Sequence, residues 1–149
     1  MIYQQWIKDN AKNLIEEIVA DILHDKDTSH YRKLMPQDLV RERIRNVFYD
    51  GFQRLQDWLQ KDKENEDIFR PYIELGRERC REGAPMEEVI RVFMKVSRKI
   101  NMQIEDNKVF DTRYRLDELE ELNRNTALFF SRIVHAIIMG YEEEHGKQA

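Results

Sequence analysis

The sequence predicts an all-α fold, a five-helix bundle forming a single domain over residues 1–149, and three observations carry that prediction. Apolar residues recur at the 3.6-residue helical period in five separate stretches. Glycine and proline are scarce, at 5 and 3, which leaves little material for loops. The composition, 41% hydrophobic and 36% charged, suits helices with one apolar stripe and a densely charged outer face. A chain of this size buries roughly two-thirds of its unfolded surface. No strand-like alternation longer than a few residues, no internal repeat and no low-complexity tract interrupts the pattern.

The first helix runs from about Tyr3 to Leu23, with Ile7, Ala11, Leu14, Ile15, Ile18, Val19 and Ile22 in period. The polar stretch Asp25 to Tyr31 breaks it. The second opens at Pro36, a favourable first helical residue, and carries Leu39, Val40, Ile44, Val47, Phe48, Phe52, Leu55 and Leu59. The charged run Lys61–Asp67 forms the next connection. The third helix covers about Ile68 to Glu82 and the fourth about Met86 to Glu105. Asp106 to Arg113 reads as a loop, and the fifth helix covers about Tyr114 to Glu144. His145–Ala149 reads as a frayed tail or the start of a linker.

Between the third and fourth helices the sequence is most explicit. Gly83 suits the position just past a helix, where φ > 0 costs a side chain with a Cβ. Pro85 sits where a missing N–H costs nothing, and Glu87 and Glu88 complement the positive end of the new helix.

Bulk properties narrow the function. The net charge of −4 argues against nucleic acid, which demands a basic face. Cys80 is the only cysteine, so an intramolecular disulfide is excluded and a reducing cytoplasm is the simplest location. The opening MIYQQWIKDN turns polar at once and does not read as a signal peptide. The longest apolar run, near Ile133–Met139, is too short to span a membrane and is broken by His135.

A search for chemistry returns little. Of His24, His30, His135 and His145, only His135 approaches a core face, and a structural or interface histidine explains it better than a haem or metal ligand. Glu142-x-x-His145 matches half of a di-iron carboxylate pattern, but the second half is missing. No metal site or cofactor is therefore assigned. Cys80 lies inside a helix at core spacing and reads as a small buried apolar group, not a nucleophile. The Glu118–Glu121 and Glu142–Glu144 runs read as solvated faces. Arg91, Lys95, Arg98 and Lys99 form a basic stripe without the interleaved aromatic residues of a nucleic-acid platform. No catalytic constellation emerges, and the chain reads as non-enzymatic.

Two residues of the third helix stand apart. Arg79 shares a side with Ile68, Tyr72 and Leu75, so its guanidinium leaves from the core edge and needs carboxylates or carbonyls. Gly76 costs about 1 kcal/mol against alanine at mid-helix, which implies close approach of another backbone or of a ligand. A small apolar pocket is the ligand reading, lined by some of Tyr72, Gly76, Arg79, Phe93, Phe130 and Tyr141; helix packing is the other. The fifth helix is apolar on two sides. Phe130, Ile133, Val134, Ile137, Ile138 and Tyr141 form one stripe, while Leu128 and Met139 lie opposite, beside His135. Either that helix is central, or Leu128, His135 and Met139 belong to a homodimer interface.

The pattern Tyr72-x-x-Leu75-Gly76-x-x-Arg79-x-x-x-Gly83-x-Pro85-x-x-Glu88-Val89 resembles the helical N-terminal domain of RsbR/RsbRD-type stress regulators. So do Trp58-Leu59 at the end of an earlier helix and the late Phe129-Phe130 and Gly140-Tyr141-Glu142 segment. The resemblance spans most of the chain from the second helix onward, through structural rather than catalytic residues. It implies a globin-like, haemless fold that dimerises and acts as a signalling input ahead of an effector or a downstream partner. With no effector after Gly140-Tyr141-Glu142 in the sequence given, the resemblance implies either an excised domain or a stand-alone relative. The alternative expectation is a globin-like module that binds an apolar small molecule.

Overall fold

A computed structural model describes residues 2–24, 36–60 and 66–148. Five helices account for nearly all of them: α1 (Ile2–His24), α2 (Gln37–Gln60), α3 (Arg70–Arg81), α4 (Met86–Phe110) and α5 (Leu116–Gln148). A 3₁₀ turn, Glu66–Phe69, leads directly into α3. There is no strand among the described residues. The break expected at 25–31, with His30, and residues 61–65 of the expected Lys61–Asp67 connection lie outside them, while Glu66 and Asp67 belong to the 3₁₀ turn.

The amphipathic stripes meet in one core. Helix α5 packs along α3 and α4, while α1 packs along α2 and α4, and all five helices contribute buried side chains. Trp6, Trp58 and Phe129 are its largest fully buried groups. Trp58, Phe69 and Phe129 form a tilted aromatic cluster with centroids 5.3–6.2 Å apart, within the range in which ring quadrupoles attract. Every apolar position expected in α1 is buried apart from Ala11, which is half-buried. In α2 the exceptions are Leu39, which is exposed, and Val47, which is half-buried.

The boundaries differ from expectation in three places. Helix α4 continues through Asp106–Phe110, where the polar sequence suggests a loop, and the real turn is 111–115. The reason is Asn107: it is buried, and its Oδ1 accepts a hydrogen bond from Trp6 Nε1 at 2.9 Å. A satisfied polar group at a core position carries the helix onward. The 3₁₀ turn takes up Ile68, so α3 begins two residues later, with Pro71 in its first turn where no N–H is missed. The last turn of α5 covers His145–Gln148, set apart in the sequence as tail or linker.

The turn between α3 and α4 forms as its residues dictate. Gly83 has φ 81°, its N–H donates to Cys80 O, and Ala84 N–H donates to Arg79 O. This is a Schellman closure, which satisfies carbonyls that a helix end otherwise leaves bare. The Tyr141 hydroxyl donates to Ala84 O at 2.7 Å and ties the turn to α5.

Candidate functional site

Two glycines bring the backbones of α3 and α5 close together where these helices cross. A Cβ on Gly76 would lie 3.1 Å from Ile137 Cα and closer still to its carbonyl oxygen. One on Gly140 would lie 3.0 Å from Gly76 Cα and 2.9 Å from Arg77 N. The two glycines therefore face one another and let the backbones touch, with buried Ala136 one turn before Gly140. Gly76 is explained by packing against a helix. Gly140 enters the sequence analysis only within the Gly140-Tyr141-Glu142 segment and with no packing role, although Ala136-x-x-x-Gly140 carries the small-residue spacing that such a crossing needs.

The crossing brings the helix C-terminal ends together. Arg77 pairs with Glu74 and with Glu143, and Arg81 lies 3.5 Å from Glu144. Glu144 is 6% exposed, which corrects the reading of the whole 142–144 run as a solvated face. It turns inward because the end of α3 lies beside it with Arg81. Cys80 is half-buried, not buried, and burial pushes its thiol pKa up, away from reactivity.

The six residues expected to line one ligand pocket are separated. Tyr72, Phe93 and Phe130 border an apolar cavity of about 10 Å³ that also touches Gly51. Arg79 and Phe93 border a second, of about 30 Å³. Gly76 belongs to the helix crossing and Tyr141 to the α3–α4 turn. Neither cavity approaches the roughly 300–1,000 Å³ of an ordinary small-molecule site. The Tyr72 hydroxyl is buried without a hydrogen-bond partner, and burial drives its pKa far upward.

The three interface candidates fare differently. Leu128 is 45% exposed, Met139 37% exposed, and His135 is exposed as well. The second apolar side of α5 thus does not face the domain's own core. Met139 and His135, with Arg132 and Ala136, form one wall of an open groove of about 360 Å³; Phe69 and Ile73 form the other. Leu128, Arg132, His135 and Met139 follow one another at i, i+4, i+7 and i+11, the spacing of a helix-pairing seam. The Arg132 guanidinium lies 5.8 Å from the Trp58 ring and 5.9 Å from Phe69, so its charge rests on aromatic faces. Phe69, Ile73 and Arg132 were missed in the sequence. The i, i+4 spacing of Phe69 and Ile73 was the available signal, but nothing local places them beside α5.

The described histidines, His24, His135 and His145, are all exposed, so none reaches the core as an axial haem ligand does. Among the described residues no group of His, Cys, Asp and Glu could hold a metal ion. The basic stripe on α4 is partly neutralised, since Lys99 Nζ lies 2.9 Å from Asp21 and 3.6 Å from Glu17. No helix among the described residues is long and apolar enough to cross a membrane.

Compared with family models, with curated proteins and with solved structures, the chain matches none.

Proposed function

We propose that this chain is a non-enzymatic, cytosolic signalling input domain of globin-like, haemless type, working as a homodimer and passing its state to a downstream protein or fused effector. The observation that carries this reading is the outward seam Leu128, Arg132, His135 and Met139 of α5, with exposed apolar side chains at its two ends, beside the Phe69–Ile73 groove. Two copies packed antiparallel along this seam would set Leu128 beside the second copy's Met139, and two-fold symmetry repeats the contact. The resemblance of the Tyr72–Val89 segment to RsbR-type input domains agrees with this reading.

Leu128→Glu and Met139→Glu test it by sedimentation velocity. Both positions are exposed in the single chain, so each variant keeps the monomer's melting behaviour within about 0.5 kcal/mol. The wild type is expected to sediment as a dimer and the double variant as a monomer. A wild type that is monomeric at tens of micromolar, or a double variant as dimeric as the wild type, would rule out this interface.

A further inference from the structure

The centre of the outward seam of α5 is ionisable. Arg132 and His135 lie between Leu128 and Met139, so the seam runs apolar, cationic, titratable, apolar. His135 is exposed in the single chain, and its imidazole meets water there. Arg132 rests its guanidinium on the Trp58 and Phe69 ring faces and shares the groove with His135. The opposite wall, Phe69 and Ile73, is apolar, and no residue of α1, α2 or α4 lines the groove. The charges carried by the 3₁₀ turn and α3 are engaged elsewhere: Arg70 lies 2.7 Å from Asp67, and Arg77 pairs with Glu74 and with Glu143. Between Leu128 and Tyr141 the sequence of α5 contains no Asp or Glu, and the next acidic residue, Glu142, lies about two helical turns beyond His135. The groove therefore offers a protonated His135 a cation and apolar side chains, without a carboxylate.

The antiparallel register that sets Leu128 beside the second copy's Met139 also sets Arg132 beside the second copy's His135. Two-fold symmetry makes that contact twice. A neutral imidazole accepts an N–H of the guanidinium, whereas an imidazolium has only donors and no acceptor. Its charge then faces a second cation in a seam that association has partly dried, where like charges repel more strongly than in water. We infer that this seam is a proton-gated contact: the dimer holds while His135 is neutral and is released when His135 is protonated. The inference rests on the antiparallel dimer proposed above and adds its regulation. The sign follows from linkage, because the single chain takes up the proton more readily than the dimer, so association weakens as pH falls. With an imidazole from each copy, the dissociation constant rises by up to roughly a hundredfold per pH unit below the histidine range. The signal of the input domain is then acidification of its surroundings.

The test is sedimentation velocity of the full chain over a concentration series, at about pH 7.5 and about pH 5.5 and constant ionic strength, on either side of the histidine range. Far-UV circular dichroism at both values checks that the helices persist. The wild type is expected to dimerise at the higher pH, with a dissociation constant that rises at least roughly tenfold at the lower. His135→Gln, which keeps an acceptor but takes up no proton, should dimerise equally at both values, even though His24 and His145 still titrate. Arg132→Met should shrink the wild-type rise by removing the opposing cation. A wild-type dimer equally tight at both values would overturn the gating while leaving the dimer standing. So would a rise that persists in full in His135→Gln or in Arg132→Met. A wild type monomeric at both values would overturn the dimer itself, and the gating with it.

Discussion

Tyr72 places a hydroxyl in the interior with no hydrogen-bond partner, facing Gly51 across a space too small for more than a water. An unsatisfied buried hydroxyl costs free energy that the equivalent phenyl ring does not. Tyr72→Phe should therefore melt at the same temperature or higher, by up to about 1 kcal/mol. Tyr114 is the contrast, since its hydroxyl donates to Asp9 across 105 residues of sequence and ties the α4–α5 turn to α1. Tyr114→Phe should lose about 1 kcal/mol in chemical denaturation. Burial, followed by the Asp9 hydrogen bond, pushes Tyr114 from 10.0 up to about 12, and burial moves Tyr72 upward too. Both keep their protons in the folded state where the unfolded chain has lost them. Stability is thus intact below pH ~10 and falls as pH rises toward ~12. Melts of the wild type should drop steeply across that window, and melts of the Tyr72→Phe/Tyr114→Phe double variant should drop less. At this scale the sequence was partly legible. The need of Arg79 for carboxylates follows from its place beside Tyr72 and Leu75, whereas its burial to 5% exposure goes beyond the core-edge position that spacing implies. The orphaned Tyr72 hydroxyl does not, because only the path of α2 sets Gly51 opposite it.

The α3–α5 crossing shows what an element can hide. Gly76→Ala and Gly140→Ala each add about 1 kcal/mol of helix propensity. Each also drives a methyl into the facing backbone, which cannot retreat without parting the helices. The expected net effect is a loss of about 1–3 kcal/mol in urea unfolding; a gain in either variant would show that the helices do not touch there. Gly83→Ala separates a different cause. Nothing lies within 4 Å of the added methyl, so its expected loss of about 1–2 kcal/mol is backbone strain at φ 81° alone. The Gly83–Pro85 turn was legible because its constraint is local. The end of α4 was not, because Asn107 draws its helical role from Trp6, a hundred residues away. Glu144 was misread for the same reason, its burial being set by Arg81 on another helix.

For the whole molecule, the five-helix architecture follows directly from apolar periodicity, since each stripe must be covered by another. The doubly apolar α5 was visible too, with Leu128 and Met139 on its second side. The opposing wall of the groove was not, because Phe69 and Ile73 reach it only through the glycine crossing. The two small cavities are far smaller than a pocket for an ordinary apolar ligand, and the outer seam of α5 with its groove is the surface that the proposed dimer uses. Native mass spectrometry of freshly purified protein at tens of micromolar tests that claim most directly. The account predicts a species at twice the 18.2 kDa chain mass, reduced to single chains by Leu128→Glu/Met139→Glu. A single-chain mass for the wild type across that concentration range would contradict it.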